Sequence, residues 1–258
     1  MPHLPVLRVV PLAAIRRHEE VDPLRVERLS KRIGNDGTQV NPMMCMDASG
    51  GDLVLLDGAT RTESMKKLGL KHAVVQIVDP MSISLGTWHH VVRGVDTPVV
   101  LASIESADGI TLVKGVGTPA VHTHDGDSFR VTSKTLSDNA ALSSLVGGYV
   151  GKWTVNRSPD PRVEAVTSRF PEWAVIVEFP TLSVEDVMKA AIGNDLLPAG
   201  ITRFVVPERA LRLNVPLDLL DSDRSVAEKQ LALDELLEKR ARTGRIRRYE
   251  EPVYILDE

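Results

Sequence analysis

Cysteine is all but missing from this 258-residue chain: Cys45 stands alone, so no internal disulfide and no all-cysteine metal site can form. That scarcity fits a reducing compartment. Glycine and proline, at 18 and 16 residues, stay near average usage, which excludes collagen-like and low-complexity architectures. A basic surplus is lacking too, because 31 Lys and Arg against 35 Asp and Glu leave a formal charge of −4. Any nucleic-acid contact must then come from a local patch. Long apolar runs are absent: the N-terminal stretch is broken by Pro5, Arg8 and Pro11, and no later run nears the ~20 residues of a membrane span. Secretion and membrane insertion are not expected, and a cytoplasmic protein is. What remains, 43% hydrophobic and 26% charged residues, can fold as a soluble globule of one elaborate or two compact domains.

The pattern along the chain predicts a mixed α/β fold. Residues 6–10 are a β-branched run ended by Pro11 and lead into a loop over 15–20. A helix follows, with Asp22 as N-cap, Pro23 at its first position, Val26, Leu29 and Ile33 on one face, and Gly34 as its stop. Two strands, 40–46 and 53–56, flank turn-forming residues 47–52. The second strand ends at Asp57-Gly58, and a helix is expected from Thr60 to Leu68, with Thr60 and Glu63 spaced as a capping box. Residues 73–78 read as a strand. Farther on, strands are expected over 99–104, 110–113, 174–179 and 201–206, and helices over 136–149, 184–192 (capped by Ser183 with Asp186) and 224–243. A domain boundary is placed near residues 80–88. The expected units are 1–84 and 85–258, the second a mixed α/β domain.

Two local features carry chemistry. The first is strand, then Asp57-Gly58-Ala59-Thr60-Arg61, then helix. Small residues there let backbone approach a ligand, the free N–H groups of the first helical turn point outward, and the helix dipole favours a phosphate. Arg61 could grip phosphate oxygens in bidentate fashion, and Asp57 could hold Mg²⁺ directly or through water. The second is His18-Glu19-Glu20, where adjacent carboxylates can raise one another's pKa and supply a general base. An ordinary turn and a solvated charge cluster are the structural readings of the same residues.

Together with the segment Gly37-Thr38-Gln39-Val40-Asn41-Pro42, these features make residues 6–78 resemble the N-terminal domain of the ParB/sulfiredoxin superfamily. Sulfiredoxins carry a cysteine in the turn where this chain has Gly58-Ala59-Thr60-Arg61. ParB proteins are basic and add a helix-turn-helix, whereas the basic run here, from Lys239-Arg240 to Arg247-Arg248, complements a helix C-terminus. Residues outside that domain are similar to those of the free L-serine kinases: Ile15–Glu20 with its His-Glu-Glu, Leu85–His90 with Trp88 and His89, and Gly200-Ile201-Thr202-Arg203 with Pro207 and Arg209.

The resemblance implies phosphorylation of free L-serine to O-phospho-L-serine with ATP or ADP and Mg²⁺. It makes Glu20 the base and gives Asp57 to metal and substrate. Gly58, Ala59, Thr60 and Arg61, with Gln39 and Asn41, fall to the nucleotide, and Trp88, His89, Thr202 and Arg203 to the serine pocket. For the zwitterionic substrate, Arg203 is the expected carboxylate partner and Glu19 the ammonium partner. The chain departs from the pattern at Ala59-Thr60, where many relatives carry two histidines, and at Phe204, where a histidine is expected. A kinase of another small hydroxyl compound, and a nucleotide-responsive DNA-binding or regulatory protein of ParB type, are the other readings. DNA is a possible partner but not the favoured one. Residues 122–127, His-Thr-His-Asp-Gly-Asp, form either a divalent-metal loop or a polar surface turn. Oligomeric state is not readable.

Overall fold

Alternation of β-branched and sulfur-containing apolar residues with helices of one apolar face produces two sheets, each with its own helices. The computed structural model describes residues 4–249. In chain order, the first half contains β1 (Val6–Pro11), β2 (Ile15–Arg16), α1 (Pro23–Asp36), β3 (Thr38–Gln39), β4 (Met43–Asp47), β5 (Leu53–Asp57), α2 (Ala59–Lys67) and β6 (His72–Ile77). Then come β7 (Ser84–Thr87), β8 (His89–Arg93), α3 (Thr97–Glu105), β9 (Thr111–Lys114), β10 (Ala120–Thr123), β11 (Ser128–Thr132), α4 (Asp138–Gly147) and β12 (Thr154–Ser158). The chain finishes with α5 (Val163–Arg169), β13 (Trp173–Glu178), α6 (Val184–Gly193), β14 (Thr202–Val205), β15 (Val215–Pro216), α7 (Leu217–Asp221) and α8 (Val226–Arg242).

The first sheet has the order β1-β6-β4-β5-β2, and the second the order β12-β8-β13-β10-β11-β9. Two short pairs, β14-β7 and β15-β3, tie the late chain to the early one. β4 and β5 run antiparallel and place Asp57 at the end of an otherwise buried strand. Met43, Met44, Cys45 and Met46 are all buried and pack both faces of β4. Burial, then the neighbouring Asp47, pushes the Cys45 thiol up to about 12, so it sits in the core as a small apolar side chain.

The chain after Val206 returns to the first sheet. Leu213, Val215, Leu220 and Leu233 are buried in the same cluster as Val9, Ile15, Leu53 and Val74. Gln230 of α8 receives the Val9 N–H at 2.8 Å and donates to the Leu7 carbonyl at 3.2 Å, so it satisfies backbone on the edge strand β1. A second cluster spans both sheets, joining Met44, Val54 and Leu56 to Val92, Val121, Val177 and Leu197. Residues from beyond position 84 thus complete the core around residues before it.

Three local expectations change. α1 runs through Gly34 and stops at the left-handed Gly37 (φ 61°). No Thr60/Glu63 capping box forms, because α2 begins one residue earlier on a left-handed Gly58; Glu63 pairs instead with Arg17 and Lys66. Residues 99–104 are helical, within α3: Asp96 and Pro98 start a helix whose Val100 and Ile104 are buried on one face. The capping box at Ser183 and Asp186 is present as expected. Among the described residues, no helix is long and apolar enough to cross a membrane.

Candidate functional site

The His-Glu-Glu loop is stitched to the segment before β14 by backbone. Leu197 donates to the His18 carbonyl and Glu20 donates to the Leu197 carbonyl, both at 2.8 Å. Glu19 then reaches across: Oε2 accepts from the Gly200 N–H at 2.9 Å, while Oε1 accepts from the Thr202 N–H at 2.8 Å and from the Thr202 hydroxyl at 2.5 Å. Both Glu19 oxygens are thus committed, and the side chain is only 13% exposed. His18 lies beneath, with Nδ1 donating to the Leu55 carbonyl at 2.6 Å and Nε2 at 2.9 Å from the Thr202 hydroxyl. Burial lowers the pKa of His18, against the raising effect of Glu19. Phe204 stands edge-on to that imidazole, with ring centroids 5.8 Å apart.

These residues border a cleft of about 780 Å³, a volume suited to a cofactor-sized ligand. Opposite the loop, β5 delivers Asp57 and the start of α2. Gly58 takes φ 108°, and a Cβ there would stand 2.9 Å from Met43 Cγ and 3.0 Å from Arg61 Nη1. Only glycine meets both demands. No side chain caps this helix start, and its first intrahelical hydrogen bond runs from the Thr62 N–H to the Gly58 carbonyl. The N–H groups of Ala59, Thr60 and Arg61 are therefore the free donors of an anion-binding helix end. Arg61 donates one N–H to the Pro42 carbonyl at 2.8 Å, and burial pushes its guanidinium down from its usual value. Asp57 is half exposed and pairs with Arg209.

The cleft is strongly basic at close range although the chain is acidic overall. Arg25, Arg28 and Arg32 of α1 and Arg61, Arg157, Arg203 and Arg209 line it, against Glu19, Glu20, Asp22 and Asp57. Such a surplus held in a concave site selects anions. Glu20 is exposed and lines the cleft, and its carboxylate makes no hydrogen bond or ion pair among the described residues.

Of the expected site residues, Glu19, Glu20, Asp57, Gly58, Ala59, Thr60, Arg61, Trp88, Thr202 and Arg203 are brought to this cleft. Gln39, Asn41 and His89 are not. Gln39 is buried, its amide pairing with the Val74 N–H and carbonyl. Asn41 accepts from the Arg212 N–H, and His89 Nδ1 accepts from the Phe179 N–H. Glu19 directs its carboxylate to Gly200 and Thr202, three hydrogen bonds within the protein, and the Arg203 guanidinium lies over the Trp88 ring, 5.0 Å from its centroid. In the 122–127 segment, His122 bridges Ser128 and Glu178, His124 packs on Trp173, and among the described residues no three metal-ligating side chains converge.

Sequence reasoning missed the α1 arginines and Arg157, and gave Arg209 no role. The spacing 25, 28, 32 places three guanidiniums on one helix face, a signal that was available. Arg157 gives none, since it reaches the cleft from a strand of the other sheet.

No family model matches the chain. Over 98% of its length, and 97% of the relative's, it is 28% identical to the ATP-dependent L-serine kinase SbnI of Staphylococcus aureus (strain NCTC 8325 / PS 47). A structure of SbnI with C-terminal truncation, from Staphylococcus aureus, superposes with a TM-score of 0.76 at 24% identity, covering 91% of this chain and 97% of that one. A free serine kinase in complex with AMP superposes with a TM-score of 0.74 at 17% identity, covering 84% and 95%. The fold is that of these kinases, and the resemblance read from the separated motifs is borne out along nearly the whole chain.

Proposed function

We propose that the protein is a phosphotransferase that phosphorylates free L-serine to O-phospho-L-serine, with ATP or ADP as donor. One observation carries the reading: an uncommitted carboxylate, Glu20, and an uncapped helix start at Gly58–Arg61 face the same basic cleft. The near full-length similarity to a serine kinase supports it.

Phosphoryl transfer needs positioning and charge stabilisation more than covalent help. The N–H groups of Ala59, Thr60 and Arg61 hold the donor's phosphates and stabilise charge that grows on them. Glu20 takes the proton of the acceptor hydroxyl as its oxygen bonds to the terminal phosphorus, and the bond from that phosphorus to the bridging oxygen breaks, releasing ADP from ATP or AMP from ADP. Glu19 holds the Gly200–Thr202 backbone, so Thr202 and Trp88 form a fixed wall beside the acceptor. Mg²⁺ fits this cleft in the manner of phosphate enzymes, with one carboxylate, Asp57, and the donor's own oxygens as ligands; bound there it would neutralise phosphate charge. Asp57 is half exposed at the cleft, and Arg209 meets one of its oxygens, Oδ2.

Phosphorus NMR of the protein with Mg²⁺, L-serine and either nucleotide tests the reading. A phosphoserine resonance is expected with at least one donor and is expected to vanish in Glu20→Gln, which still binds nucleotide. Full turnover in that variant removes Glu20 as base. Absence of phosphoserine with both donors, together with a signal from another hydroxyl compound, moves the assignment to that acceptor.

A further inference from the structure

Five of the seven cleft arginines, Arg25, Arg28, Arg61, Arg157 and Arg203, form no ion pair with a carboxylate among the described residues. Arg157 projects from β12 of the second sheet and packs its guanidinium against Gly200, where a Cβ would stand 1.7 Å from its Nη2. Gly200 also has φ 80°, so glycine is required twice over, for its backbone and for the guanidinium it seats. Burial pushes the Arg157 pKa down; the nearby Glu19 carboxylate works against that fall, and the like charge of Arg25, near the start of α1, adds to it. Among the described residues, the cleft arginines that pair with carboxylates are Arg209, with Asp57, and Arg32, with Asp36 at 3.8 Å. Arg25 and Arg157 form no such pair. The adjacent carboxylate, Glu19, already gives both oxygens to Gly200 and Thr202. Two cations share this one neighbouring carboxylate, whose hydrogen bonds go to backbone and hydroxyl, so a further anion is favoured there.

That anion differs from the donor phosphates in its place. The phosphate cradle belongs to α2 and the Asp57–Arg209 pair, whereas Arg157 rests on the Gly200 junction to which the Glu19-Glu20 loop is tied. We propose that Arg157, with Arg25 beside it, binds the carboxylate of the acceptor, so that the enzyme requires a hydroxyl compound bearing a carboxylate. The inference rests on the kinase reading and transfers the carboxylate from Arg203, whose guanidinium is stacked on Trp88. A forked guanidinium holds a carboxylate through two parallel hydrogen bonds, which fixes the hydroxyl end as well as the charge.

The test compares L-serine with L-serinamide, which keeps the hydroxyl and ammonium but has no carboxylate, at saturating nucleotide. Wild type is expected to prefer L-serine. Arg157→Gln is expected to raise KM for L-serine about 10- to 100-fold, as for loss of a charged hydrogen-bonding partner, to leave the serinamide constants and the nucleotide Kd near wild type, and so to erase the preference. Arg157→Lys, which keeps the charge without the fork, is expected to recover part of it, and Arg203→Gln to retain the preference ratio. A wild-type preference in Arg157→Gln overturns the proposal, as does its loss in Arg203→Gln alone. Should Arg157→Gln fail to melt as a folded protein, unchanged selectivity in Arg157→Lys overturns it equally. Wild type that phosphorylates neither compound sinks the kinase reading itself, and this inference with it.

Discussion

Exchanging each of two neighbouring carboxylates for its amide separates a structural role from a chemical one. In Glu19→Gln the amide oxygen can replace Oε1 and still accept from the Thr202 N–H and hydroxyl, but the NH₂ group then faces the Gly200 N–H, donor against donor. One charge-assisted hydrogen bond is lost with an N–H left unpaired, about 1.5–3 kcal/mol, and two others fall from charged to neutral strength. The sum is about 2–4 kcal/mol, on the order of a 10 °C fall in Tm for a chain of this size. Glu20→Gln breaks no hydrogen bond or ion pair among the described residues and is expected to stay within about 0.5 kcal/mol of wild type. Urea unfolding of the two variants beside wild type, with phosphoserine formation measured on the same samples, gives the comparison. Glu19→Gln should lose stability and part of its turnover, and Glu20→Gln should lose turnover alone. Wild-type stability in Glu19→Gln would refute the latch and the argument that the Gly200–Thr202 wall depends on it.

Two further outcomes are expected. Burial first, then Arg157, lowers His90 to about 4, and Tyr149 contacts its Nδ1 at 2.8 Å. Between pH 6.5 and about 4 the unfolded chain therefore binds a proton that the folded chain refuses, so stability is full above pH 6.5 and falls by about 3 kcal/mol on acidification. Denaturant midpoints across that range check this, and His90→Gln should flatten the slope. Gly58→Ala combines a positive φ with a Cβ 2.9 Å from the buried Met43, and is expected to cost about 2–5 kcal/mol and to weaken nucleotide binding at least tenfold. Calorimetry and thermal melting check both effects, and unimpaired nucleotide binding would remove the turn from the phosphate site.

The elements nearest the cleft were legible because their signals are local. Asp22-Pro23 announces α1, and an apolar run closed by Asp57-Gly58 announces β5 and the turn after it. Where the reading slipped, two local rules competed. The β-branched Val99, Val100 and Ile104 favour a strand, yet Asp96 and Pro98 form a helix start, and packing of one face decided for the helix. Gly34 reads as the stop, but the residue type alone does not fix the end: the chain turns left-handed only at Gly37, three residues on. The motif residues of the cleft were legible in kind but not in duty. Glu19 and Glu20 are chemically alike in sequence, and the backbone of Gly200 and Thr202, some 180 residues away, commits one and leaves the other free. Arg157 was invisible for the same reason, since its place depends on a glycine from another segment.

The return of α8 to the edge of β1 sets the order in which this protein can be made. The first sheet emerges from the ribosome well before α8, and its core lacks Leu213, Val215, Leu220 and Leu233 until those segments have followed. Contacts of such sequence separation close late and slow the search. Until they close, β1 presents an unpaired edge and the cluster an open apolar flank, the surfaces on which nascent chains aggregate. The first sheet is therefore translated early and finished last, and its open flank needs shelter until α8 has been made.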